Sequence, residues 1–199
     1  VVLGVLACVG MAVAQPNVMW NNDIVAQNGL YSRFNDVIVT SDGGFMAVGT
    51  MIVVDVGIRG YMVKTDADGN IEWDARVGWT GTPGTELHEV IETSPGTFYA
   101  VGTSAYFADD NGKGYMVKIV NGEFDSEQYF DNVGRDIVNG FTLDSNGDFW
   151  LCGSTSTDEV QFFGQLLRVD DNLNQLSRLV YTQSTTLNTI EFHDGALYT

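Results

Sequence analysis

Two short segments carry the residue types and spacing of oxygen-ligand chemistry. Asp66-Ala67-Asp68-Gly69-Asn70 and Asp144-Ser145-Asn146-Gly147-Asp148 set carboxylates and amides at alternate positions, as loops that wrap Ca²⁺ do. The metal candidates are therefore Asp66, Asp68, Asp144, Asn146 and Asp148, and calcium is the one cofactor the sequence admits. A full calcium loop also needs a bidentate Glu further on, where Val77 and Thr155 stand instead. Both segments therefore read first as hairpin turns, in which Gly supplies the positive φ of a tight connection, with a lower-affinity calcium site as the alternative.

A second set is basic. Lys64, Lys118 and Arg168 are three of only nine Lys and Arg residues and follow one another at steps of 118 − 64 = 54 and 168 − 118 = 50. Each pairs with a carboxylate of a neighbouring strand, Asp66 or Glu72 in the first case, or the three form a basic ring that holds an anionic ligand such as an acidic glycan. The segment 104–113, with Asp109, Asp110 and Lys113, is a further candidate for binding. His88 and His193, the only two histidines, read as solvated turn residues, His88 just ahead of a strand. Cys152 sits in the apolar run Phe149-Trp150-Leu151-Cys152 with no His partner in view, so it reads as a small buried apolar side chain rather than a nucleophile. No catalytic residue is assigned.

The elements that position these residues come from composition and repetition. With 44% apolar and 12% aromatic residues, 199 residues suffice for a sizeable core. Twenty-three glycines against three prolines, with no long amphipathic helical pattern, favour an all-β chain. The net charge of −17 repels phosphate backbones and anionic lipid, which argues against nucleic acid as a partner. The uncharged stretch 1–14 ends in Ala12-Val13-Ala14 and is too short to span a bilayer, so it reads as a signal peptide that begins partway through and is cleaved after Ala14. Lipid attachment at Cys8 is the alternative. The mature chain is expected to be secreted or cell-surface, monomeric and without a transmembrane segment.

The chain aligns with itself. Asp36-Val37-Ile38-Val39-Thr40 and Phe45-Met46-Ala47-Val48-Gly49-Thr50 flank Ser41-Asp42-Gly43-Gly44. The same pattern returns at 89–103 and 140–154, and begins again at Thr189. Gly49, Gly102 and Gly153 close the second strands at steps of 102 − 49 = 53 and 153 − 102 = 51. Gly60, Gly114 and Gly164 open the third strands at steps of 54 and 50. Strands are expected near 36–40, 45–51, 60–66 and 71–77, with middle loops at 52–59, 105–113 and 155–163. Four-stranded units of about fifty residues match blades of a β-propeller. The fold expected is all-β: a propeller fragment of about three complete antiparallel blades (about 36–78, 88–133 and 137–182), a partial blade at 189–199, and a closing strand at 18–25 whose Trp20 lies 73 − 20 = 53 residues before Trp73.

The phrases Thr40-Ser41-Asp42-Gly43-Gly44-Phe45, Ala47-Val48-Gly49-Thr50 and Tyr61-Met62-Val63-Lys64-Thr65-Asp66-Ala67-Asp68-Gly69-Asn70-Ile71-Glu72-Trp73 resemble the propeller repeats of large secreted Bacteroidetes-type proteins. The resemblance covers roughly 18–199 and implies architecture and export, including the type IX secretion route many such proteins use, rather than an activity. The third unit departs from it, with Gln165 for Tyr, Arg168 for Lys, and no Gly in Asp171-Asn172-Leu173-Asn174. Thr40-x-Asp42-x-Gly44 resembles only the start of a sialidase-type Asp box, and Asp68-Gly69 with Trp73 only part of a quinoprotein docking repeat. The function expected is a non-enzymatic binding or scaffold module for extracellular protein or glycan. The alternatives are a glycan-active enzymatic propeller with its catalytic residues elsewhere, and a structural spacer of a multidomain adhesin.

Overall fold

The computed structural model describes residues 29–53, 56–78, 84–105, 112–130, 134–158 and 160–199. The expected signal peptide at 1–14, the expected closing strand at 18–25, Asp109 and Asp110 lie outside the described residues.

Every regular element among the described residues is a strand. β1 (Gly29–Val39), β2 (Phe45–Val53), β3 (Gly57–Thr65) and β4 (Ile71–Val77) form one antiparallel sheet in the order β1-β2-β3-β4. β5 (Thr85–Ser94), β6 (Thr97–Ala105), β7 (Gly112–Val120) and β8 (Glu123–Phe130) form a second, and β9 (Arg135–Leu143), β10 (Phe149–Ser156), β11 (Phe163–Val169) and β12 (Gln175–Ser184) a third, each again in chain order. β13 (Glu191–His193) and β14 (Ala196–Tyr198) make a separate hairpin. Among these residues no helix is long and apolar enough to cross a membrane.

The strands are longer than their apolar cores suggest. β1 begins at Gly29 rather than near residue 36, and most of the expected loop 52–59 is strand, because β2 runs to Val53 and β3 starts at Gly57. The early half of β1 pairs with β2 through two bulges, and bulging masks the alternation by which strands are read.

Successive sheets pack face to face, and alternate residues of one strand serve different neighbours. On β6, Phe98 and Ala100 join Met46, Val48 and Met62 of the first sheet. Tyr99 and Val101 turn the other way and join Phe141, Phe149 and Leu151 of the third. Cys152, Leu166 and Ile190 seat the hairpin on the third sheet. Burying each such side chain is worth about 1.5–3 kcal/mol, and these shared faces supply the driving force for the stack.

The two sets of landmark glycines have separate causes. Gly49, Gly102 and Gly153 each face a bulge in the first strand of their sheet. A Cβ there would lie 2.0, 1.9 and 1.9 Å from the carbonyl oxygens of Arg33, Glu86 and Ile137. Gly60, Gly114 and Gly164 instead make room for side chains packed against the third strand. A Cβ on Gly60 would meet Val77 at 2.8 Å and Thr85 of the second sheet at 3.1 Å, and one on Gly114 would meet Val138 of the third at 2.8 Å. The period seen in the sequence is therefore set by close backbone approach within a sheet at one glycine and by side-chain packing against the other.

The third unit's missing turn glycine is met by Leu173, which takes φ 66° and is 2% exposed in the core between sheets two and three. Its burial offsets the cost of a left-handed, non-glycine conformation.

Candidate functional site

The basic position is built the same way in each sheet. Lys64 lies directly across from Met46, Lys118 from Tyr99, and Arg168 from Trp150. The third strand thus delivers each cation to the end of its sheet where the first and last hairpins turn.

What each cation meets differs. Lys64 is buried, its side chain 4% exposed, and its ammonium donates to Asp42 Oδ2 (2.8 Å), Glu72 Oε2 (2.7 Å) and the Thr65 carbonyl (2.9 Å). Three donors meet three acceptors, so the group has no hydrogen left for an anion. Burial alone would lower its pKa, but the bonds and charges of Asp42 and Glu72 outweigh this and hold it above the usual lysine value. The same contact, with help from the Thr40 hydroxyl and Gly44 N–H, holds the Asp42 carboxyl well below the usual carboxylate range. Glu72 fulfils the charge pair expected from the sequence; Asp66 does not take part, and Asp42 from the first hairpin does.

Lys118 sits 5.6 Å from the centre of the Tyr99 ring and 3.7 Å from Asp125. Arg168 lies 5.7 Å from the Trp150 ring, with Asp148 at 2.5 Å and Asp144 at 3.7 Å, and its Nε is buried without a hydrogen-bond partner. In sheet two the Tyr99 face does part of what a second carboxylate does for Lys64, whereas Arg168 has two carboxylates as well as a ring.

The Asp-rich turns have an internal use. Asp66 Oδ1 accepts the N–H groups of Asp68 (2.9 Å) and Asn70 (2.8 Å), and its Oδ2 accepts from Asn70 Nδ2 (2.9 Å). Asp170 does the same with Asn172 and Asn174. Asp144 accepts from Asn146 N (2.8 Å), Asp148 N (3.1 Å) and Trp150 Nε1 (3.1 Å), and these bonds hold its carboxyl below the usual range despite burial. Among the described residues, no group of three or more His, Cys, Asp and Glu is arranged to hold a metal ion.

A third constellation escaped the sequence reading. Asn35, His88 and Asn139 are the bulged residues of β1, β5 and β9, left out of the ladder and aimed at the following sheet. Asn35 Nδ2 donates to the Leu87 carbonyl (2.7 Å), His88 Nδ1 to Val138 (2.6 Å) and Asn139 Nδ2 to Leu187 (2.8 Å). The next residue adds a second bridge. Asp36 accepts from Val90 N (3.0 Å) and Glu89 from Phe141 N (2.9 Å), while Gly140 has no side chain to do so. His88 is thus a half-buried inter-sheet bridge within β5, and not a solvated residue ahead of the strand, because the bulge turns its ring into the junction. The signal was present in Asn35-Asp36, His88-Glu89 and Asn139-Gly140, spaced 88 − 35 = 53 and 139 − 88 = 51. Polar pairs beside a more obvious apolar repeat are easily passed over. His193 closes β13 beside Glu191, at 3.0 Å.

The amide that recurs at this position makes a testable statement. His88→Asn is expected to keep the bridge and leave stability within a few tenths of a kcal/mol, whereas His88→Ala should cost about 1 kcal/mol in urea unfolding. Equal losses in both variants would rule the bridge out.

Glu89 is the strained member. Burial at the junction raises its pKa above the usual value of 4.5. A carboxyl raised on folding stabilises most when protonated, so its contribution is present below pH 4.5 and is lost as pH rises through the folded value. Glu89→Gln keeps an acceptor for Phe141 N and removes the charge. The variant should gain on the wild type as pH rises above 4.5, read as a rising difference in unfolding midpoint. Burial also pushes the Cys152 thiol up to about 12, which leaves it an unreactive apolar filler, as its sequence surroundings suggested.

Gln165, the departure from Tyr in the third unit, is matched by a change opposite it. Tyr61 donates to Asp74 (3.1 Å) and Tyr115 to Glu127 (2.6 Å). In the third sheet Gln165 accepts from Arg178 (3.1 Å) and donates to buried Asp136 (3.2 Å). The carboxylate has moved from the fourth strand to the first.

Two open clefts lie at equivalent junctions beside the basic position. One of about 450 Å³, between sheets one and two, is lined in part by Ser41, Asp42, Lys64, Trp73, Glu92 and Phe98. The other, about 390 Å³ between sheet three and the hairpin, is lined in part by Ser145, Asn146, Trp150, Arg168, Phe192 and Leu197. No known protein family matches the chain, and no curated protein matches it in sequence.

Proposed function

We propose that the successive sheets are blades of a β-propeller, and that the chain serves as a secreted or surface-attached, non-enzymatic module that binds or scaffolds extracellular protein or glycan. The large secreted Bacteroidetes-type proteins that its repeats resemble set the context, and the module acts as a monomer. The observation that carries this reading is the inter-sheet bridge at Asn35, His88 and Asn139, which recurs at one register. A junction repeated in the same register turns each sheet relative to the last by a similar step, and such repetition builds a ring. The charged positions that first suggested chemistry are engaged in holding turns and strand ends. Recognition then falls to the surfaces between sheets and to the connecting loops, as on other rigid repeat scaffolds.

Incubating residues 15–199 with a panel of glycans and following the products by chromatography separates binding from turnover. Retention of unaltered ligand supports the module; release of cleaved saccharide would show an enzyme instead.

A further inference from the structure

Resting on that binding reading, the geometry points to neutral saccharide as the ligand and to the clefts beside the basic position as its sites, with Ser145 and Asn146 as the exposed polar contacts of the one between sheet three and the hairpin. The two clefts share part of their lining, although their indoles come from different strands, Trp73 from β4 and Trp150 from β10. Ser41 and Ser145, Asp42 and Asn146, Lys64 and Arg168, and Phe98 and Leu197 hold the same places in their repeats. At the junction between sheets two and three the Tyr99 ring packs 4.5 Å from Phe149 and donates its hydroxyl to the Asp171 carbonyl at 3.1 Å.

The lining selects the ligand class. Each open cleft joins an indole and a phenyl ring to hydroxyl, amide and carboxylate groups, with Asn121 in the first and Asn146 in the second. Apolar C–H faces with hydroxyls that both donate and accept fit such a surface. Anions do not. In the first cleft Asp42, Glu72 and Glu92 outnumber Lys64, whose three hydrogens are already taken. In the second Arg168 is engaged by Asp148 and Asp144, against a background of −17. Cations gain little in the second cleft, because Arg168 already faces its carboxylates. A neutral polyol is the class that both admit.

Ser145 and Asn146 are exposed, and the turn that carries them is held by the backbone N–H of Asn146 on Asp144, so truncating their side chains spares the fold. The test is titration of ¹⁵N-labelled residues 15–199 with neutral hexasaccharides (of glucose, xylose and mannose), watching the Trp150 indole N–H by NMR. A glycan array carrying neutral, sulfated and carboxylated chains runs beside it. The expected result is a saturable shift with at least one neutral hexasaccharide, weakened about tenfold in the Ser145→Ala, Asn146→Ala double variant. No shift with any of them, an unchanged affinity in the double variant, or binding confined to acidic chains overturns the assignment. Retention of some other glycan or protein partner alongside such a failure overturns the clefts alone and leaves the binding module standing. Absence of every ligand overturns both.

Discussion

Gly102→Ala is expected to cost about 3 kcal/mol or more, enough to leave much of the chain unfolded at room temperature. The added Cβ would lie 1.9 Å from the Glu86 carbonyl oxygen and 2.9 Å from Leu87 Cα. Both are backbone atoms of the neighbouring strand, at a bulge, and neither can swing aside as a side-chain tip could. Relief would require opening the ladder between β5 and β6 next to His88, and with it the bridge to Val138. Gly43→Ala and Gly147→Ala serve as controls. Their φ values are +86° and +87°, but a Cβ at either meets nothing within 4 Å, so only the conformational cost of about 1 kcal/mol applies. Urea unfolding of the three variants separates the cases. Similar losses in all three would mean that the repeat glycines serve backbone conformation rather than close approach.

Lys64→Met is the second large effect, expected at about 2 kcal/mol. Deleting one partner of a fully buried pair costs about 3–5 kcal/mol. Here Asp42 and Glu72 keep 56% and 44% side-chain exposure and can return to water, which reduces the loss. Lys118→Met should cost under about 1 kcal/mol, since Lys118 is more exposed and its nearest carboxylate is 3.7 Å away. The difference between wild type and Lys64→Met should depend on pH in a defined sense. Asp42 is depressed from 3.8 on folding, so its share of the stability is present above that value and is lost as pH falls below it. Lys64 is raised from 10.5, so its share persists up to that value and is lost as pH rises through the folded one. Equal costs at the two lysines would sink the account of Lys64 as a cross-link between the first hairpin and β4.

Much of this was legible in the residues and some was not, for reasons that can be named. The four-strand unit and its turns follow from Gly, Asn and Asp spacing, because tight turns leave a composition that survives divergence between repeats. Glu72 as partner of Lys64 was legible from strand pairing. Asp42 was not, since it reaches Lys64 from a hairpin twenty-two residues away. The Asp turns carry a ligand-like pattern because a carboxylate that caps backbone N–H groups uses the same spacing as one that wraps an ion. The bridges at Asn35, His88 and Asn139 stayed hidden because a bulge breaks the alternation from which side-chain direction is inferred. The exchange of Tyr for Gln165 could be seen, whereas its compensation by Arg178 and Asp136 needed the strand register.

In the proposed propeller, one bridge repeated in register at Asn35, His88 and Asn139 carries the sheets around an arc. Small-angle X-ray scattering from residues 15–199 tests it most directly. The expected profile is that of a single rigid body whose sheets follow one another around an arc. Scattering from independently moving sheets, or from a straight stack, would contradict it.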